Sequence, residues 1–242
     1  MYQITRLVEP SKLRLIWQSA NGPDRTKYVV AELVRAGTGV ALYYNYNSSD
    51  FAKAMAAGFK GHPAFDFRTA VHHDNVLPIF MKRVPPRSRS DFRQFLFKHG
   101  LSSFPGASDF ALLGYSGARL PGDGFSLEID FLLEAPPFQY FFEISGFRYY
   151  QGMHVQMNDL IGQQVFLLPE PANPYDPNAI QLTVSNLLLG YVPRTQAAEF
   201  KTWLNYASVG AWIDRIEGTP LRPQVSVFTM IGPPSSPPLA LS

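Results

Sequence analysis

The chain has 242 residues, an apolar share of 46%, a formal net charge of +2 and no cysteine. That excludes disulfides, thiolate metal sites and cysteine nucleophiles, and so small a charge does not by itself argue for nucleic acid, so any such site must come from local geometry. No apolar run is long enough to cross a bilayer, and the Met1–Leu7 start lacks a basic-then-apolar signal pattern, so the expectation is a cytoplasmic protein with no membrane partner. Lys12–Trp17 reads as an alternating strand, with Asn21-Gly22-Pro23 as its turn. Lys27–Val34 and Val40–Tyr44 read as a hairpin around Gly37-Thr38-Gly39. A helix starts near Ser49-Asp50, with Phe51, Met55 and Phe59 on one face and Gly58 near its end. The chain then looks loop-rich until Ser90, which caps a helix over Asp91–His99 closed by Gly100. Acid in the first turn and base in the last suit the helix dipole. A shorter helix over Ser108–Leu113 is ended by Gly114. Phe125–Phe131 alternates, which sends Glu128 and Asp130 to solvent from a half-buried strand.

The first domain should end at Glu134-Ala135-Pro136-Pro137, where two prolines interrupt any continuation. Phe138–Phe147 is then the first strand of the second domain. Gln164–Leu168 and Ala179–Val184 are apolar runs of strand length rich in β-branched residues. Between them, Pro171, Pro174 and Pro177 fix φ, while Asn173, Asp176 and Asn178 can bond their own backbone. Tyr175 and Asp176 are therefore held at the tip of a stiff loop, which suits recognition better than packing. Thr195 caps a further helix with Ala198, Phe200, Trp203, Leu204 and Ala207 as its apolar stripe, ended by Gly210. Ala211–Glu217 and Gln224–Ile231 are closing strands, and 233–242 is a proline-rich tail.

Four features in this half carry a resemblance: Gly146–Gly152, the Leu-Pro-Glu-Pro run at 168–171, Asn173–Ile180, and Leu189–Arg194. In order and spacing they resemble the HIRAN domain, over roughly residues 138–232. The resemblance implies an OB-like β-barrel with a helix that binds single-stranded DNA at its 3′-hydroxyl end. It implies that Tyr149 stacks on a base and Arg148 meets a phosphate, that Tyr175 is a second stacking residue, and that Asp176 accepts from the 3′-hydroxyl. The residues themselves allow Arg148-Tyr149-Tyr150 to be a strand with one tyrosine buried, and Asp176 to be an Asx-turn acceptor. A carboxylate has two oxygens, so both roles of Asp176 can hold. Tyr191 stands where the resemblance places a histidine, which makes the third contact aromatic. Arg194 is a phosphate candidate or an exposed charge at a helix start, and Asn178 braces the loop.

The run Leu77–Gly124 resembles the N-terminal subdomain of HipA-type kinases, through Leu77–Phe80, Arg83–Arg87, the Phe92–Leu101 helix and Phe110–Gly117. The kinase body is absent, so this resemblance implies regulation of a HipA-like kinase partner rather than phosphoryl transfer. Lys82, Arg83, Arg87, Arg89 and Arg93 make either a solvated face or a phosphate track. No acid–base dyad, P-loop, metal cluster or cofactor motif emerges: Gly114–Gly117 misses the nucleophile-elbow spacing and His72-His73 fits a solvated pair. The expectation is an α+β protein and not an enzyme. It has an α/β first domain (1–134), a HIRAN-like domain (135–232) and a tail (233–242). Single-stranded DNA binding leads, with an antitoxin-like regulator of a HipA-type kinase as the alternative.

Overall fold

The computed structural model describes residues 1–19, 26–37 and 39–234. The expected turn at Asn21–Pro23, the Thr38 step of the hairpin, and residues 235–242 of the tail lie outside them. The fold is α+β, in two compact units: Val8–Glu134, and Ala135 onward together with Met1–Leu7. No helix is long and apolar enough to cross a membrane.

In the first unit, β1 (Lys12–Gln18), β2 (Lys27–Ala36), β3 (Gly39–Tyr44), β4 (Val71–His72) and β5 (Phe125–Ile129) form an antiparallel sheet in the order β4-β3-β2-β1-β5. Helices α1 (Ser49–Ala56), α2 (Val76–Met81), α3 (Phe92–Lys98) and α4 (Asp109–Ser116) accompany it. Several expectations change here. The stretch read as loop contains β4 and α2; Pro78 sits in the first turn of α2, where its missing N–H would have had no partner anyway. Ser48 caps α1, and the buried face is Phe51 and Ala54, with Met55 turned outward. Asp91 precedes α3 without a side-chain cap bond and pairs with Arg89 instead.

Helix α4 is capped by Ser108, whose hydroxyl accepts from the Ala111 amide, but Gly114 does not end it. The helix runs on to a left-handed cap at Gly117. Gly114 is needed for close approach: a Cβ there would stand 2.6 Å from Ile129 Cγ1 and 2.8 Å from Leu13 Cδ2. Strand β5 is covered on both faces, so Glu128 and Asp130 do not reach solvent, and Asp130 is only 3% exposed. Lys12 and Arg14 hold Asp130 at 2.8 and 2.7 Å, and Lys27 approaches Glu128 at 3.7 Å. Alternation assigned the faces correctly, but the polar face is roofed by ion-paired cationic side chains.

The second unit has strands β6 (Phe138–Glu143), β7 (Phe166–Pro169), β8 (Ile180–Val184), β9 (Leu187–Tyr191), β10 (Ala207–Thr219) and β11 (Arg222–Pro234). It also has a short α5 (Met157–Leu160) and α6 (Ala197–Tyr206). Two antiparallel sheets result, β10-β11-β6 and β7-β8-β9. Ser145 and Tyr191 exchange backbone bonds of 2.8 and 3.0 Å, joining the end of β6 to β9. On the far side, Val165 donates to Ala211 (2.9 Å) and Gly162 to Ile213 (2.8 Å), joining the approach to β7 to β10. The six strands thus follow one another in a ring with two short seams.

Its core is aromatic. Phe138, Tyr140 and Phe142 of β6 meet Phe200 and Trp203 of α6, with ring centroids 5.4 Å apart for Phe138–Trp203 and 5.1 Å for Phe142–Phe200. Each such ring fully buried contributes roughly 1.5–3 kcal/mol. Gln196, not Thr195, immediately precedes α6, and Gly210 lies inside β10, which begins as soon as the helix ends. The first seven residues complete this unit. Ile4 is fully buried, Tyr2 stacks on Phe228 at 4.7 Å, the Thr5 amide donates to Gln139 Oε1 at 2.7 Å, and the Gln139 amide donates to the Arg6 carbonyl at 3.0 Å.

Candidate nucleic-acid interface

The Gly146–Tyr150 segment is not the expected strand. Phe147–Tyr149 form a 3-10 helical turn, entered by Gly146 at φ 80°. Phe147 is buried and anchors the turn, so the next two side chains are carried outward. Tyr149 is 68% exposed, and the Arg148 guanidinium lies 4.5 Å from its ring centroid and donates to its hydroxyl. Tyr150 is half-buried, its ring 5.6 Å from that of Tyr191. The turn can sit on β9 only because residue 190 is glycine. Gly190 has φ 142°, and a Cβ there would come within 2.4 Å of the Ser145 carbonyl oxygen and 2.7 Å of Ile144 Cγ2.

Between β7 and β8 the loop is braced by its own side chains. Asn173 Oδ1 accepts from the Tyr175 and Asp176 amides at 2.9 and 3.1 Å, and Asp176 Oδ1 accepts from the Asn178 amide at 2.8 Å. The Glu170 amide donates to the Ala179 carbonyl at 2.8 Å and closes the loop base. Asp176 therefore does serve as an Asx-type acceptor, through one of its two oxygens. Lys201 of α6 donates to Asn178 Oδ1 at 3.0 Å, which makes Asn178 a brace. Tyr175 is left 94% exposed at the tip. An aromatic ring so exposed gains nothing from folding, while its backbone is pinned from both sides.

Glu170 was expected only as part of a motif, yet it joins the two halves of this surface. Its Oε2 accepts from Asn173 Nδ2 at 2.7 Å and from the Tyr191 hydroxyl at 3.0 Å. Those bonds hold the Glu170 carboxyl below its ordinary value. Burial, then the hydrogen bond and charge of Glu170, push the Tyr191 phenol up to about 12. The sequence signal for Glu170 was its place three residues before Asn173, at the entry of a proline-fixed loop. The contacts Tyr150–Tyr191–Glu170–Asn173 thus connect the turn bearing Arg148 and Tyr149 to the loop bearing Tyr175 and Asp176. Arg194 is exposed just beyond β9.

A family model described as the HIRAN domain matches residues 137–224. Residues 137–224 are a HIRAN domain. Two solved structures are similar to part of the chain. The crystal structure of the HIRAN domain of human HLTF is 23% identical over 39% of this chain and 76% of that one, with a TM-score of 0.30. A crystal structure of a protein from Lactobacillus plantarum is 21% identical over 38% of this chain and 91% of that one, with a TM-score of 0.33. A search of curated proteins finds no match. In this HIRAN domain the six residues expected at the interface fall on the turn, the loop and the exit of β9. Tyr191 differs from the rest, because its hydroxyl is committed to Glu170.

The basic run of the first unit is largely neutralised by its own neighbours. Arg83 pairs with Asp123, Arg87 with Asp109 at 2.8 Å and Arg89 with Asp91 at 2.5 Å. Arg87 also donates to the carbonyls of Pro105 and Ala107. These arginines tie loops together within the unit.

Proposed function

We propose that the HIRAN domain binds single-stranded DNA and recognises a free 3′-hydroxyl end. The observation that carries this reading is the pair of outward tyrosines: Tyr149 beside the Arg148 guanidinium, and Tyr175 next to Asp176 on a braced loop. A ring beside a cation is how single-stranded nucleic acid is held, base on ring and phosphate on guanidinium. The loop is already ordered by Asn173, so little is lost to reorganisation on binding. Asp176 has one oxygen on the Asn178 amide; the second is the acceptor for a hydroxyl, and its charge disfavours a phosphate at the same place.

The test is a binding titration with labelled oligonucleotides that differ only at their ends. Single strands with a 3′-hydroxyl should bind more tightly than 3′-phosphorylated strands or blunt duplex, and Asp176→Ala should narrow the gap. Tyr175→Ala should cost roughly 1–3 kcal/mol of affinity, the range for one stacked base, with no loss of melting temperature. Because Arg148 and Arg194 are the phosphate candidates, the salt slope should be shallow, roughly −0.7 per phosphate. Equal affinity for the two 3′ ends would sink end recognition, and unchanged binding by Tyr175→Ala would sink the site.

A further inference from the structure

The amide of Asn173 could face either way, and its orientation decides whether the loop is braced. A carboxylate only accepts hydrogen bonds. Glu170 therefore obliges Asn173 to turn its Nδ2 inward, at 2.7 Å, and this leaves Oδ1 facing the Tyr175 and Asp176 amides. With the amide reversed, an NH2 group would oppose two backbone N–H groups and both bonds would be lost. The same carboxylate oxygen obliges the Tyr191 hydroxyl to donate, at 3.0 Å, which leaves that hydroxyl no proton to offer a ligand. Tyr191 in turn packs on Tyr150, the residue that follows Arg148 and Tyr149.

We propose that Glu170 is a positioning residue that sets the orientation of Asn173 and Tyr191 and so fixes the recognition loop and the Arg148–Tyr149 turn in one frame. Tyr191 accordingly acts through that frame and is not a hydrogen-bond donor to the ligand. The proposal rests on the reading of these two elements as a DNA-binding surface, but it makes a claim about the free protein as well. Glu170 is half-buried, and the bonds it organises join exposed elements, so removing it should leave the aromatic core intact.

The experiment compares the wild-type chain with Glu170→Ala, Glu170→Gln and Tyr191→Phe in two measurements. The first is amide hydrogen exchange at Tyr175 and Asp176 in the free protein. The second is affinity for a single-stranded oligonucleotide ending in a 3′-hydroxyl and for the same strand ending in a 3′-phosphate. Glu170→Ala should accelerate exchange at both amides and weaken 3′-hydroxyl binding roughly tenfold, the scale of a lost charge-assisted hydrogen bond. Its 3′-phosphate affinity should fall less, because that end gains nothing from Asp176, so the ratio between the two ends contracts at an unchanged melting temperature. Glu170→Gln keeps an acceptor oxygen but adds a donor, so Asn173 is no longer held to one orientation and both properties should fall between wild type and Glu170→Ala. Tyr191→Phe keeps the ring and should give a smaller loss, roughly threefold, with exchange at Tyr175 unchanged because Asn173 still faces Glu170. Normal exchange at Tyr175 and Asp176 in Glu170→Ala would overturn the proposal. Failure of the wild type to bind either strand would overturn the DNA-binding reading instead, and the exchange arm would still decide the role of Glu170.

Discussion

His62 shows how a single side chain can be defined by what surrounds it. Its sequence context gave no sign of a role, and the structure places it inside the first unit, against the rings of Phe65, Phe80 and Phe125, the last at 4.8 Å. Its Nδ1 accepts from the Ala64 amide at 3.2 Å. Burial, and then the nearby Arg83 charge, lower its pKa to about 4. The histidine is neutral in the folded chain at neutral pH, and the unfolded chain takes up its proton first as the pH falls. Stability is therefore complete above the ordinary histidine pKa, and it is lost as the pH drops from there towards about 4. The loss should be on the order of 3 kcal/mol. Chemical denaturation of wild type and His62→Phe at several pH values checks this, and the variant should show a flatter slope across that window. At the same scale, the bracing of the β7–β8 loop was legible in the sequence because prolines and Asx side chains act locally. Glu128 and Asp130 were not, because their burial depends on Lys12, Arg14 and Lys27 from neighbouring strands.

Among whole elements, glycine separates what local rules can read from what they cannot. Gly58 and Gly100 take left-handed backbone just beyond α1 and α3, and a pattern of stops and turns finds such positions. Gly114 and Gly190 answer to contacts distant in sequence. Reading Gly114 as a stop ends α4 too early, since its real constraint is Ile129 of β5 and Leu13 of β1. Helix propensity predicts that Gly114→Ala should stabilise by about 1 kcal/mol, whereas overpacking costs typically 1–3 kcal/mol. Gly190→Ala is the more severe change. Its nearest obstacle is the Ser145 backbone oxygen at 2.4 Å, which cannot rotate away, and the φ of 142° strains any side chain. Thermal unfolding should show Gly190→Ala the less stable of the two. Its DNA affinity should fall as well, because the turn bearing Arg148 and Tyr149 would be lifted from β9. The 3-10 turn itself escaped the sequence reading: a run of aromatics looks like a strand until Gly146 and the packing of Phe147 bend it.

At the level of the molecule, the two compact units part at Glu134–Ala135, and nothing in the sequence of Met1–Leu7 announced that these residues belong with the later unit. A seven-residue segment carries too little pattern to reveal its partner. Removing residues 1–7 should lower the melting temperature of the HIRAN-bearing unit and leave the first unit unaffected, as followed by hydrogen exchange in β6 and in β1. Loss of the fully buried Ile4 side chain alone accounts for about 1.5–3 kcal/mol of that effect. An unchanged melting profile for the shortened chain would refute this assignment. The first unit is thus an insertion, and Ser11 and Glu134, near its two ends, are hydrogen-bonded at 2.8 Å. During synthesis, the opening residues leave the ribosome long before β6, β10 and β11 exist to receive them. If the inserted unit folds first, its closed ends turn a long loop into a short one, and each halving saves roughly 0.6 kcal/mol of closure entropy. Residues 1–7 would then meet their late-made partners across a loop that the insertion has already shortened.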